Sequence, residues 1–391
     1  MKKLNSIELF AGAGGLAIGL HEAGFSPKAI VELNRDACRT IRSNKLFNYG
    51  AGLYEGDVSL FNYLSVGETI DLISGGPPCQ PFSLGGKAMG HSDSRDMFPE
   101  AVRAIREKRP RAFVFENVKG LLRKSFFEYF EYIILQLQYP SLPKKIKEEW
   151  QEHRARLERY HTQSKHTELE YNVVYRLVNA ADYGVPQKRE RVFIVGFRSD
   201  IDAKWTFPEP THSEDALVWD KWITKNYWSR HEINNPIANE KEIETAEKLR
   251  AKYGMFEPQS KPWVTIRDAI SDLPDPKSLC AKSYNHHEFK DGAKIYPGHT
   301  GSYIDEPSKA LKAGGHGVPG GENMIRFEDG SVRYFTVRES ARIQTFPDSF
   351  EFQGAWGEVM RQLGNAVPTE LSRKVGQSIF HALKTKKVLN K

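Results

Sequence analysis

The 391-residue chain carries 56 Lys and Arg against 50 Asp and Glu, a net charge of +6, and 39% of its residues are hydrophobic, which describes an ordinary globular chain with room for two domains or one large domain with an insertion. Three widely spaced cysteines, Cys38, Cys79 and Cys280, with no CxxC pair, argue against a disulfide framework or a zinc site and for a reducing, cytoplasmic compartment. No stretch approaches the ~20 apolar residues that span a bilayer. Lys2 and Lys3 ahead of the apolar run from Leu9 to Leu20 loosely imitate a secretory signal, but Glu8 breaks the run and no small-residue cleavage pattern follows.

The first 140 residues alternate strand and helix patterns. Strands are predicted over 6–11, 29–33, 70–74 and 111–116, and helices over 14–23, 35–43, 97–107 and 126–138. Such alternation predicts an α/β fold, a Rossmann-like parallel sheet covered by helices with its site at the carboxyl ends of the strands. The charged stretch 140–169 reads as a helical insertion, either a solvated one or an arm for phosphates. Two further strands are expected over 172–179 and 191–197, almost a hairpin. Periodicity then fades to about 307, and the glycine-rich stretch 311–321 reads as exposed loop. Helical patterns return at 337–344 and 369–384. The last carries Leu371, Val375, Ile379 and Leu383 as one apolar stripe, which should dock on the first domain. The expected domains are 1–199, 200–350 and a returning segment, 351–391.

Charge is unevenly spread. Residues 201–350 hold 20 Lys and Arg against 23 Asp and Glu, whereas the flanking parts are net basic. A uniformly basic nucleic-acid-binding domain in the middle is thereby excluded.

Four local patterns carry chemistry. Phe10-Ala11-Gly12-Ala13-Gly14-Gly15 falls at a strand-to-helix turn, where glycines let a ligand approach backbone amides. Glu32 follows about 20 residues on, placed to hold ribose hydroxyls of an adenosine cofactor. The loop does not separate NAD from S-adenosylmethionine, and Asp57 is either an adenine-amino acceptor or a plain turn aspartate. Gly75-Gly76-Pro77-Pro78-Cys79 presents a cysteine on stiff backbone at a strand end, a good setting for a thiolate nucleophile. Glu116 ends the apolar strand Phe113 to Phe115, on the edge expected to face Cys79. Arg189 and Arg191, two residues apart, share one face, where they either favour the thiolate and bind an anionic substrate or are ordinary strand-edge charges.

The ordered set Phe-Ala-Gly-x-Gly-Gly, Pro-Cys-Gln, Glu-Asn-Val, Gln-x-Arg-x-Arg, Arg338-Glu339 through Arg342, Gln344, Phe346 and Pro347, and Gly364-Asn365-Ala366-Val367-Pro368 resembles the cytosine-C5 DNA methyltransferase family. The likeness covers 6–199 and about 333–385; the middle, about 200–330, carries no matching motif, and in this family it selects the target sequence. The resemblance implies transfer of a methyl group from S-adenosylmethionine to carbon 5 of a cytosine flipped out of duplex DNA. It implies Cys79 as nucleophile at carbon 6, Glu116 on ring nitrogen N3, Arg191 on the carbonyl oxygen and Arg189 steadying the set. Cofactor contacts are implied for Phe10, Ala11, Gly12, Gly14, Gly15, Glu32, Asp57, Pro78, Asn365 and Val367. Leu33 stands where the family often has an aromatic ring. Ser83 and Arg95 match positions of a loop that closes over DNA, and Lys87 adds charge there. The same resemblance implies a monomer without a bound metal or membrane association, in a restriction-modification system with a cognate restriction endonuclease, acting at the nucleoid. The alternatives are a tRNA cytosine-C5 methyltransferase, a silent DNA-binding homologue, against which the intact Cys79, Glu116, Arg189 and Arg191 speak, and a NAD oxidoreductase.

Overall fold

The computed structural model describes residues 3–44, 52–78, 96–163, 169–201, 203–313 and 323–385. They form two compact units: 1–178 with 190–207 and 350–391, and 179–189 with 208–349.

Unit 1 is built on β1 (Leu4–Leu9), β2 (Phe25–Glu32), β3 (Gly52–Glu55), β4 (Leu72–Gly75), β5 (Ala112–Val118), β6 (Tyr171–Asn179) and, beyond the short β7 (Gln187–Lys188), β8 (Glu190–Arg198). The sheet order is β3-β2-β1-β4-β5-β8-β6. The first five strands pair in parallel, and β8 inserts antiparallel to β5. The two late strands are therefore sheet neighbours in reverse order. Near-continuous apolar runs explain the parallel part: Ile7, Leu9, Leu72, Ile73, Phe113, Val114 and Phe115 are all fully buried, as strands covered on both faces require. β2 starts at Phe25, earlier than its apolar run. Its pairing with β1 slips by one residue just after Ser6 meets Pro27, which has no N–H to donate.

The sheet is covered by α1 (Gly15–Ala23), α2 (Arg35–Ser43), α3 (Phe98–Lys108), α4 (Phe127–Gln138) and α5 (Trp150–His161). The Asn34 side chain caps α2 by accepting from Ala37 N at 2.8 Å. In the 140–169 insertion, α5 buries His153 and Leu157, with His153 hydrogen-bonded to the Tyr132 hydroxyl and to Leu142 O. Arg154 and Arg156 are paired with Glu131, Glu158 and Glu148, as in a solvated helix.

Unit 2 contains β7, β9 (His212–Ser213), β10 (Lys261–Pro262), β11 (Ser302–Tyr303), β12 (Ser308–Lys309), β13 (Met324–Arg326) and β14 (Val332–Tyr334), with α6 (Glu214–Trp222), α7 (Asn226–Arg230), α8 (Glu240–Tyr253), α9 (Ile266–Ile270) and α10 (Val337–Ile343). Helices thus appear where hydrophobic periodicity fades. Their signals are caps: Asn239 with Glu242 and Thr265 with Asp268 form capping boxes. The 179–189 segment, which the strand pattern assigns to the first domain, clusters here because β7 pairs with β12. Two small cores result, one around Ile266, Ile304, Ile325, Phe335 and Ile343, the other around Leu217, Tyr227, Trp228 and Trp263.

The chain then returns to unit 1 with α11 (Trp356–Asn365) and α12 (Thr369–Thr385). The Leu371–Val375–Ile379–Leu383 stripe is buried as expected. The contact with α1 depends on a small residue: a Cβ at Gly19 would stand 2.3 Å from Thr369 O and 2.4 Å from Ser372 Cβ. Among the described residues no helix is long and apolar enough to cross a membrane.

Candidate active site

A cleft of about 770 Å³ opens in unit 1 at the carboxyl ends of β1, β2, β4 and β5. Most of its lining comes from the glycine-rich turn, the ends of β2 and β3, and the start of the Pro-Pro segment. Phe10, Ala11, Gly12, Gly15, Glu32, Asp57, Pro78, Asn365 and Val367 all line it. Gly14 adopts φ 87° as the cap of α1, a left-handed conformation natural to glycine, and no side chain caps the first amides of that helix.

Glu32 ties two turns together. Its Oε2 accepts from Gly12 N and its Oε1 from Asn34 N, each at 2.7 Å. Each carboxylate oxygen has a second lone pair, so the arrangement leaves acceptor capacity towards the cleft. Asp57 caps the turn after β3 by accepting from Ser59 N at 2.9 Å, a bond that holds its carboxyl below the usual carboxylate range. Leu33 is 70% exposed and lines the same cleft.

The far-C-terminal motif reaches the cleft through α2. Gln362 Oε1 accepts from Thr40 Oγ1 at 2.8 Å, and Gln362 Nε2 donates to Gln353 O at 2.9 Å. This tether places Asn365 and Val367 on the wall, some 350 residues after the glycine turn.

At the other end of the cleft stands Glu116. Arg191 Nε lies 2.8 Å from Glu116 Oε1, in a pair whose side chains are only 16% and 10% exposed. In the antiparallel β5–β8 ladder Val118 faces Arg191 and Glu116 faces Phe193, so the two charged residues are diagonal neighbours on one face. Arg191 Nη1 donates to Glu190 O. Arg189 is buried within unit 2, where its Nη1 donates to Leu311 O at 3.2 Å. The two arginines therefore belong to different units rather than to one short strand face.

The backbone leading to Cys79 is held beside Glu116. Asn117 Nδ2 donates to Pro77 O at 3.0 Å, Met97 N donates to Pro78 O at 3.2 Å, and a Cβ at Gly76 would stand 3.4 Å from Glu116 Oε2. Cys79, Ser83, Lys87 and Arg95 themselves lie outside the described residues, as do 314–321 of the glycine-rich stretch. Cys38 is no rival nucleophile: it is packed under β2, and burial together with Glu32 and Glu55 pushes its thiol up to about 12.

Sequence reasoning passed over Glu8 as a mere interruption of an apolar run. It is 3% exposed, lines the cleft, and accepts a hydrogen bond from Ser74 Oγ on Oε2, while Oε1 has no partner among the described residues. Burial pushes its carboxyl up to about 8, against the opposing pull of the Ser74 bond. The available signal was an acid inside a strand otherwise made for a core.

A sequence model of the C-5 cytosine-specific DNA methylases matches residues 4–139 and 149–381, so the likeness runs through the middle region as well. The chain is 32% identical over 383 residues to the Type II methyltransferase M.PspPI of Psychrobacter, covering 96% of this chain and 79% of that one. It is 31% identical to M.NgoMIV of Neisseria gonorrhoeae, another Type II methyltransferase, covering 98% and 99% respectively. In fold it is similar to a prophage-encoded DNA modification methyltransferase of Escherichia coli, with a TM-score of 0.60, 21% identity, and coverage of 98% of this chain and 100% of that one. The matched family model and the prophage enzyme are named for DNA, which leaves the RNA alternative less supported. The chain belongs to the C-5 cytosine-specific DNA methylase family, enzymes that methylate carbon 5 of cytosine in DNA with S-adenosylmethionine as donor.

Proposed function

We propose that the unit 1 cleft holds S-adenosylmethionine and that Cys79, Glu116 and Arg191 act on a flipped-out cytosine at its edge. The cleft suits the cofactor: its volume lies in the range of small-ligand sites, and two carboxylates flank an apolar, glycine-lined floor. Glu32 accepts from the ribose hydroxyls, Asp57 from the adenine amino group, and Asn365 and Val367 close the wall. The bound cofactor supplies an electrophilic methyl group.

The chain's own residues do the rest. The Cys79 thiolate adds to ring carbon 6, forming a C–S bond and making carbon 5 electron-rich. Glu116 holds N3 and favours its protonation, so that negative charge does not build on the ring. Arg191 Nη2, with no hydrogen bond to any described residue, donates to the base's carbonyl oxygen while Nε keeps Glu116 oriented. After methylation a base, for which water serves, takes the carbon 5 proton, the C–H electron pair forms the C5–C6 double bond, and the C–S bond breaks to release the Cys79 thiolate. Ser83, Lys87 and Arg95 belong to the loop that closes over DNA. Unit 2 selects the short duplex site. The biological reading is a cytoplasmic, monomeric modification enzyme paired with a cognate restriction endonuclease.

The observation that carries this reading is the largely buried Arg191–Glu116 pair beside the anchored Gly76–Pro78 backbone. Duplex DNA carrying 5-fluorocytosine tests it, because fluorine cannot leave as a proton does. A covalent adduct should form on Cys79 and be absent in Cys79→Ala, while that variant still binds cofactor and duplex. Failure to trap an adduct removes the covalent mechanism.

A further inference from the structure

We propose that Arg326 is a base-reading residue of this methyltransferase, holding the edge of a guanine in the target site with a guanidinium stacked in advance on Tyr303. The proposal rests on the reading of unit 2 as the part that selects the site.

The arginines of unit 2 are mostly occupied. Arg230 pairs with Asp220 and Asp268, Arg267 with Asp305 and Glu328, Arg333 with Glu339, and Arg342 with Asp272 and Asp348. Arg326 differs. Its Nε is buried with no hydrogen-bond partner, and no carboxylate pairs with it among the described residues. The side chain as a whole is only partly buried, and a buried N–H without an acceptor is costly in the free protein, a cost recovered when a ligand supplies one.

The guanidinium also lies beside an exposed ring. Tyr303 and Arg326 are register partners of the β11–β13 pair, and the guanidinium carbon lies 4.9 Å from the centre of the Tyr303 ring. Tyr303 is 55% exposed. Close by in the chain, the Tyr296 and His299 rings lie 4.2 Å apart across a backbone bridge, and Tyr296 is also exposed. Planar groups on a solvated ridge, beside one unpaired guanidinium, suit a base edge. A guanidinium stacked on a ring is already ordered, so it loses less freedom on making two parallel hydrogen bonds. Guanine offers O6 and N7 as the matching acceptor pair in the major groove. The net negative charge of residues 201–350 speaks against a phosphate-gathering surface as the role of this unit.

The test is methylation of a randomised duplex library by the full chain, by Arg326→Ala, by Arg326→Lys and by Tyr303→Leu, read by bisulfite sequencing. Thermal midpoint and cofactor affinity are measured on the same preparations. Both arginine variants should lose preference for guanine at one position of the site, by about five- to 150-fold. Tyr303→Leu, which keeps the charge but removes the stack, should lose it in part. A 7-deazaguanine at that position should slow the unmodified protein and have no further effect on Arg326→Ala. Uniform weakening on all sequences, with a flatter salt dependence and rescue by Arg326→Lys, would make Arg326 a phosphate contact and overturn the proposal. Unchanged site choice in every variant overturns it as well. If site choice then follows a graft of residues 200–330 from a relative, only the role of Arg326 falls; if it ignores the graft too, the reading of unit 2 falls with it.

Discussion

Arg191 Nε and Glu116 Oε1 meet at 2.8 Å across two antiparallel strands, 75 residues apart in the chain. The pair orients the carboxylate before any base arrives. Glu116→Gln should retain a hydrogen-bonding amide but support N3 protonation poorly, and turnover should fall by about 10²–10⁴-fold with little change in duplex affinity. Arg191→Ala should produce a similar loss, and the double variant should cost no more than the worse single one, because the two act as a unit. Single-turnover methyl transfer and duplex titration check this; additive losses would show independent roles.

Glu32 joins the glycine turn to the start of α2 through Gly12 N and Asn34 N. Glu32→Ala should therefore weaken S-adenosylmethionine binding and leave the chemical step at saturating cofactor far less affected. It should also lower the melting temperature, since two partly buried amides lose their acceptor, at about 1–3 kcal/mol each at most. Calorimetric titration with unaltered cofactor affinity would refute the ribose-side role.

Glu8 gives a pH signature. Its folded carboxyl is pushed up to about 8 against an ordinary 4.5, so the folded chain keeps a proton that the unfolded chain gives up. The stabilisation is complete below about 4.5, declines as pH rises from there, and is lost above about 8. Glu8→Gln cannot ionise, so its stability relative to the unmodified protein should rise across that window, by about 1.4 kcal/mol for each pH step of one within it. Denaturant melts at pH 5 and pH 8.5 decide it; a constant difference would mean that Glu8 titrates normally.

Gly19 is where α1 and α12 approach most closely. Gly19→Ala would press its Cβ against Thr369 O and Ser372 Cβ and should destabilise the fold by about 1–3 kcal/mol, although alanine favours helices. Thermal melting at or above the unmodified midpoint would show that α12 can shift away without cost.

Much of the site was legible in the chain because its chemistry sits in short, local patterns. The glycine turn, the acid at the end of β2, the Pro-Pro-Cys corner and Glu116 at a strand end are each read from periodicity and residue type in their own stretch of chain. So does the alternation of strands and helices in the first 140 residues, where apolar period and caps agree. Unit 2 was less legible: its short helices announce themselves by capping boxes at Asn239 and Thr265 rather than by a long apolar stripe.

The sequence by itself determined the class of fold and the family, because backbone preference and chemical type are properties of neighbouring residues. Only the tertiary structure decided who meets whom. Inserting β8 antiparallel beside β5 pairs Arg191 with Glu116; the Thr40–Gln362 hydrogen bond brings Asn365 and Val367 to the unit 1 cleft; burial turns Glu8 from an interruption into a proton-holding cleft residue; and the β11–β13 register lays Arg326 on Tyr303. Each depends on strand order and burial between residues distant in sequence, and no local pattern of side chains encodes that order.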